Sequence, residues 1–321
     1  MTSLFFTTTA VDTPGYPWAH ANFLRVWKAS ESNQNDRFRL ANDPQSADVI
    51  LFVEPRFTFQ SDVLHAPLFC KFPEKSLVLD FGDCPEPVVP GMYVGLRRNQ
   101  NQIEKGIFEG NAYIRVADNH RLERACSSGL KPDLLFSFVG RAANANRVRS
   151  AILNLRHSQA LLLDRNSNQS ESDDDYIQTL ARSKFVLCPR GIGPSSWRLF
   201  ETMRMGRVPV VISDDWVPPG GIDWESFVVR VPEAEVNSIP ERLTELEPEW
   251  AARGRRARSE WERCLSYERL FGWIGERSTA IVERVQATSY KASLAKQIAR
   301  VGSMRSAAHL VRERYFSGTW S

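Results

Sequence analysis

Between Ser183 and Trp216 the chain reads SKFVLCPRGIGPSSWRLFETMRMGRVPVVISDDW, a run of residue types suited to holding an anion and a diol. Arg190 stands in a Gly/Pro loop and Arg198 opens the segment after it, so two forked, permanently charged donors bracket a string of small residues. Gly191, Gly193, Ser195 and Ser196 can bring backbone N–H groups and hydroxyls up to a phosphate, or simply start a helix. Glu201 follows Arg198 by three positions. A carboxylate there accepts hydrogen bonds from a ribose diol, or pairs with Arg198 along one helix face. The chemistry indicated is nucleotide binding.

The elements that must position these residues follow from apolar patterning. Lys184 to Cys188 is a short strand-type run, Pro189 to Pro194 a loop, and Ser195 the expected cap of the next helix, which Gly206 stops. Val208 to Ile212 reads as a second buried strand, with Pro209 near its start where proline is tolerated. Strand, loop, helix and strand together aim a positive helix end at whatever lies above the loop. The theme occurs upstream too: Leu134 to Val139 runs into Gly140-Arg141, then Val148, Ile152 and Leu155 carry helical spacing, so Gly140-Arg141 reads either as a second phosphate-facing turn or as a tight strand-to-helix connection. Earlier, ADVILFVEP and SLVLDFGD read as strands ending in acid and a turn, and Trp18 to Ala29 as a helix. Asn166 to Asp175 is polar and acidic, a solvated loop or lid. Beyond Pro240 the spacing is helical throughout.

Composition narrows the class. With 321 residues, 42% hydrophobic and 25% charged, the chain can bury one large or two ordinary cores, and a net charge of +3 gives no reason to expect nucleic acid as partner. Five cysteines without a CxxC argue against a disulfide framework or a zinc site. The sequence lacks a signal-type leader and any spanning apolar run, so the expected location is the cytoplasm. From Arg284 to Ser321 seven Lys/Arg face one acid, which reads as a basic surface on a docked helix or as a peripheral contact to anionic lipid at the inner membrane face.

The stretch from Ser183 to Asp214 resembles the exostosin family of glycosyltransferases, on Ser-Lys-Phe, Cys-Pro-Arg-Gly, Arg-Leu-Phe-Glu, Val-Pro-Val and Ser-Asp. The similarity extends to LLFSFVGR and DYIQTLARSKF upstream, to WVPPGGIDWESFVVRVPE downstream, and loosely to DPQSADVILFVEP. The resemblance implies an α/β fold of GT-B type, two Rossmann-like domains facing a cleft with a helical C-terminus. The expected division is an acceptor-side domain at 1–130, a nucleotide-sugar domain at 131–275 and a basic helical tail at 276–321. It further implies transfer of a sugar, with inversion, from a nucleotide sugar, a UDP-sugar foremost, to a glycan or lipid-linked acceptor, without a bound metal. The missing membrane anchor fits a bacterial-type member.

Inverting displacement needs a base and stabilisation of the departing diphosphate. Asp83, in DFGDCPEP just beyond a strand, is the expected base, with Asp80, Glu54 and His20 as rivals and an Asx turn as its plainer role. Arg190 is expected to act on the leaving group. The donor set is Gly140, Arg141, Arg190, Gly191, Gly193, Ser195, Ser196, Arg198 and Glu201. Asp214-Asp215 could bind metal or cap a loop, and Trp197, Trp216 and Trp224 could stack a ring or pack in the core. Two other classes stay open: a catalytically silent nucleotide-sugar binder, and an NAD(P)-dependent oxidoreductase, because Gly191-x-Gly193-x-x-Ser196 with an acid some twenty residues on partly imitates a dinucleotide fingerprint.

Overall fold

The computed structural model describes residues 1–10, 20–54, 60–101, 106–127, 130–142, 146–165 and 173–287. Six strands form the first sheet: β1 (Thr2–Thr7), β2 (Phe38–Leu40), β3 (Val49–Glu54), β4 (Ser76–Asp80), β5 (Gly91–Tyr93) and β6 (Phe108–Gly110), in the order β2-β1-β3-β4-β5-β6. Five form the second: β7 (Leu134–Gly140), β8 (Ala160–Asp164), β9 (Ser183–Pro189), β10 (Val208–Ile212) and β11 (Val229–Arg230), in the order β11-β10-β9-β7-β8. Every ladder pairing is parallel, for example Leu51 with Leu77 and Val210 with Leu187. Parallel strands covered on both faces should be apolar throughout, and β3, β4 and β10 are buried at every position. These are the two Rossmann-like units expected from sequence.

The units share a core. One apolar cluster runs from Leu4, Phe6 and Ile50 in the first through Leu199, Phe200, Trp216 and Trp224 of the second, while a separate cluster that includes Leu135, Ile152, Phe185 and Val210 fills the other side of the second sheet. Main-chain pairing also crosses the seam, at Arg97 with Trp216 and Gly110 with Pro219. Arg204 Nη1 donates to the carbonyls of Val116 and Ala117, at 2.5 and 3.0 Å. The strand ends after β4 and those after β7 and β9 thereby meet at one place.

The last described helix, Leu270–Ala287, returns to the first unit and packs on the helix Ala21–Ser32 and on β1 to β4. Phe271 meets Phe6 and Phe38 at ring separations of 6.3 and 6.5 Å. Arg277 and Arg284 bind Glu109 at 3.0 and 2.7 Å. This helix runs without a break through position 276. The basic tail beyond 287 and most of the acidic segment, 166–172, lie outside the described residues, although Asp173–Asp175 of that segment already belong to the helix Asp173–Arg182. No described helix is long and apolar enough to cross a membrane.

The expected cap needs correction. The helix after β9 spans Trp197–Arg204, its cap position is Ser196 rather than Ser195, and neither serine closes the helix end with a side-chain bond.

Candidate functional site

A cavity of about 430 Å³ lies where the loops after β4, β7, β8 and β9 converge. From the second unit it is lined by Gly140, Arg141, Arg149, Arg165, Tyr176, Gly191, Gly193, Ser195, Ser196, Trp197, Arg198 and Glu201, and from the first by Asp83 and Tyr113. Four of these are arginines and two are carboxylates, so the wall is positive. Open parallel sheets bind ligands at this end of their strands.

Arg149 and Arg198 give the cavity its chemistry. Both are buried, and among the described residues neither is paired with a carboxylate. Arg149 is pinned by main-chain acceptors instead: Nε donates to the Arg190 carbonyl at 3.1 Å and Nη1 to the Arg141 carbonyl at 3.0 Å. Burial and then the positive charge of Arg198 push its pKa down to about 10. Arg198 Nη2 donates to the Val139 carbonyl, and its guanidinium lies 4.8 Å from the Phe138 ring centre. Gly140 makes room for it, since a Cβ there would fall 2.9 Å from Arg198 Nη2. Two cations held together in a buried site repel each other, and an anion between them relieves that cost. Of the buried polar atoms without a hydrogen-bond partner among the described residues, Arg198 Nε and Ser195 Oγ belong to residues that line the cavity, and Arg190 Nε lies in the adjoining loop. Buried donors of this kind are nearly always satisfied, so the two in the lining point to a ligand rich in acceptors.

Glu201 lies beside this anionic subsite. Tyr176 Oη donates to its Oε2 at 2.5 Å, and the phenol ring stands near two guanidinium groups, Arg165 at 5.8 Å and Arg198 at 5.9 Å. Across the cavity, Asp83 Oδ1 accepts from Tyr113 Oη at 2.8 Å. Tyr113 in turn stacks on Trp197 with ring centres 4.4 Å apart. A carboxylate from the first unit thus confronts arginines from the second across one small space.

Residues 120–246 match the exostosin GT47 domain. Over 71 residues, 22% of its length, the chain is 49% identical to the exostosin-1 homolog of Caenorhabditis elegans; over 89 residues, 27% of its length, it is 38% identical to the probable beta-1,4-xylosyltransferase IRX10L of Arabidopsis thaliana. These matches span only about a fifth of either relative, 19% and 21%. The solved structure of AviGT4, a glycosyltransferase involved in avilamycin A biosynthesis, overlays 89% of this chain and 98% of its own at 12% identity, with a TM-score of 0.47.

Gly140, Arg141, Gly191, Gly193, Ser195, Ser196, Arg198 and Glu201, all within the matched residues, line the cavity together. Arg190 is the exception. Its carbonyl supports Arg149, but its side chain does not line the cavity: Nη1 lies 3.8 Å from Glu233 Oε2. Its guanidinium is drawn instead towards the Glu233 carboxylate. Arg149, and not Arg190, lines the cavity. Asp214 is bound up with Glu233, each accepting the other's backbone N–H at 3.1 and 3.2 Å, as a loop cap would be. Among the described residues, no group of three or more His, Cys, Asp or Glu could hold a metal ion. Trp216 and Trp224 are buried core residues packed edge to face, while Trp197 stays half-exposed at the cavity.

Of the rivals to Asp83, Glu54 and Asp80 sit side by side at the ends of β3 and β4, almost fully buried and outside the cavity lining. Glu54 accepts from Thr9 N at 2.8 Å and from Thr9 Oγ1 at 3.0 Å; Asp80 accepts from Gly82 N at 2.7 Å. Burial raises each pKa to about 7. Asp80 thus shapes the loop that presents Asp83. His20 does not line the cavity. Sequence reasoning missed Arg149, Arg165, Tyr113 and Tyr176. Two left a trace: Arg149 adjoins Val148 on a helix directly after the Gly140 turn, and Tyr176 lies in the segment DYIQTLARSKF.

Proposed function

We propose that this protein is a glycosyltransferase that moves a sugar from a nucleotide-sugar donor, a UDP-sugar foremost, to a hydroxyl of a glycan or lipid-linked acceptor, with inversion. The observation that carries the reading is the buried pair Arg149 and Arg198, unmatched by carboxylates among the described residues and facing one cavity with the Ser195 hydroxyl, which has no partner among them either. That arrangement suits a diphosphate, and Glu201 beside it suits the ribose. The exostosin GT47 domain supports the same activity.

In this mechanism Asp83, oriented by Tyr113, takes the proton from the acceptor hydroxyl as its oxygen bonds to the anomeric carbon. The bond from that carbon to the phosphate oxygen breaks on the opposite face. Arg149, Arg198 and the Ser195 hydroxyl receive the charge that builds on the diphosphate, and because they are held in place beforehand they need little reorganisation. These groups supply the positive charge themselves, so no metal is assigned a step.

Thermal shift against UDP, GDP, CMP, dTDP and NAD, each with and without EDTA, tests the reading. A nucleoside diphosphate at 100 times its Kd stabilises by about 2.7 kcal/mol, roughly 5 °C, and the shift should survive EDTA. Stabilisation by NAD alone would favour an oxidoreductase, and a nucleotide shift abolished by EDTA would promote Asp214 and Asp215 to metal ligands.

A further inference from the structure

We propose that the seam between the two units carries a second anion site, at the opposite end of the helix Trp197–Arg204 from the donor cavity, which takes a ligand bearing several phosphate groups. The site stands whether or not the donor cavity holds a nucleotide.

A cavity of about 1070 Å³ opens there, against about 430 Å³ for the donor cavity. One wall is the helix Ala21–Ser32 of the first unit. Ala21, Leu24, Arg25, Lys28 and Ser32 recur at helical spacing and share the face that lines the cavity, while Val26, Ala29 and Ser30 are buried. The second unit builds the other wall. Its helix Trp250–Glu260 runs into a wider, π-type turn at Trp261–Leu265, a feature often found at functional sites, and the chain then bends. Ser266 N donates to the Trp261 carbonyl at 2.9 Å, and the Ser266 carbonyl accepts from Arg269 N and Leu270 N at 3.0 and 2.9 Å. Arg258 before this bend and Arg269 at its end thereby line one space.

The lining is cationic. Arg25, Lys28, Arg204, Arg258 and Arg269 stand with only Glu262 and Glu268, so the described residues that line the cavity carry an excess of three positive charges, as much as the +3 of the whole chain. Glu262 is engaged by Arg258, whose Nε donates to it at 2.6 Å. Arg204 is the buried member. Its Nη1 bonds to the carbonyls of Val116 and Ala117, at 2.5 and 3.0 Å, fix its position, and its guanidinium lies 6.0 Å from the Trp261 ring centre. Cations set on two facing walls repel each other, whereas a multivalent anion between them is attracted to both, and the low-dielectric walls concentrate that field. Phosphate matches the donors, accepting from arginine forks and pairing with lysine as a point charge. The chain's own basic segment from Arg284 to Ser321 has the wrong charge to fill the space. Leu24 stands exposed at the rim, so a free polyphosphate and a headgroup on a lipid surface both present the right chemistry.

The test is calorimetry on the full chain with inorganic tripolyphosphate, comparing wild type with Arg25→Ala/Lys28→Ala and with Arg149→Ala, which weakens the donor cavity alone. Wild type should show a site that Arg149→Ala keeps and that Arg25→Ala/Lys28→Ala weakens tenfold or more, an unchanged Tm showing that the double variant is folded. Should its Tm fall, Arg269→Ala on the exposed bend of the other unit takes its place, with the same loss expected. Co-sedimentation with phosphatidylcholine vesicles, with and without cardiolipin, then distinguishes the sources. Cardiolipin-dependent sedimentation lost in the variant assigns the phosphates to a lipid headgroup, and sedimentation equal in both forms assigns them to a soluble ligand. A wild type with no tripolyphosphate site beyond the one that Arg149→Ala weakens overturns the proposal, as does a second site untouched by substitution at Arg25, Lys28 and Arg269.

Discussion

Gly193 of the second unit rests against the main chain of Asp83 in the first, so closely that a Cβ on Gly193 would lie 2.2 Å from the Asp83 carbonyl oxygen. Cys84 Sγ approaches the Ile192 carbonyl at 3.7 Å beside it. The loop bearing the proposed base and the loop below the diphosphate are therefore set against each other by a residue without a side chain. Gly193→Ala should force them apart. A displacement of about 1 Å can cost a hundredfold in rate, and a loss of that order in kcat/KM is expected with only a small fall in Tm. Full activity in Gly193→Ala would mean that this contact does not set the reacting geometry.

Arg149→Ala and Arg198→Ala should each weaken UDP and pyrophosphate by about ten- to a hundredfold, the loss of a charge-assisted bond of about 1.5 to 3 kcal/mol. Arg190→Ala should cost less, because its side chain faces Glu233 and contributes to the site through a carbonyl that alanine keeps. Calorimetry on the three variants ranks them. If Arg190→Ala proves the most damaging, its guanidinium turns to the donor on binding.

Asp83→Asn should bind donor normally and transfer about 10² to 10⁴ times more slowly, since an amide keeps the shape of the base and loses its basicity. Tyr113→Phe should fall between it and the wild type, having lost only the bond that orients the carboxylate. Rates at saturating acceptor decide. Near-normal turnover in Asp83→Asn places the base elsewhere.

Asp80 gives a pH signature. Burial first, then the charges of Glu54 and Asp83, hold its folded pKa at about 7 against an ordinary 3.8. Between those values the folded chain keeps a proton that the unfolded chain has lost, so stability falls as pH rises, by up to about 1.4 kcal/mol per pH unit for one group. Asp80→Asn carries no such penalty and can still accept from Gly82 N. Its Tm relative to wild type should climb from pH 4 to pH 7 and then level off. A difference independent of pH would remove Asp80 from this role.

What could be read from sequence was what is local. Strands β3, β4, β7, β9 and β10 were legible because each is a short apolar run ended by glycine, proline or acid. The cavity wall from Gly191 to Glu201 was legible because it is one contiguous segment. Arg149 was not, since a lone arginine in a helix carries no mark of burial; only the adjacency of β7 and β9 brings it under the Arg190 carbonyl. Tyr113 reaches the site from some eighty residues away by packing on Trp197, which no spacing rule encodes. Arg190 shows the opposite case: it stands in the loop that the sequence picked out, yet its side chain faces Glu233 rather than the cavity, a contact no local pattern encodes.

The return of the helix Leu270–Ala287 to the first sheet has a consequence for biosynthesis. At about 5 to 20 residues per second, the sheet completed at Gly110 leaves the ribosome roughly 10 to 30 s before the helix that covers it. During that interval Phe6 and Phe38 lack their partner Phe271. The unit made first is finished last, so a chain stopped before Leu270 should expose the core of its N-terminal sheet, detectable as dye binding and early proteolysis between residues 1 and 110. The second sheet would be harmed less, because the Leu135 to Leu243 cluster on its far side is already complete. Late truncations would then be felt first at the oldest part of the chain, and through Asp83 at the proposed base.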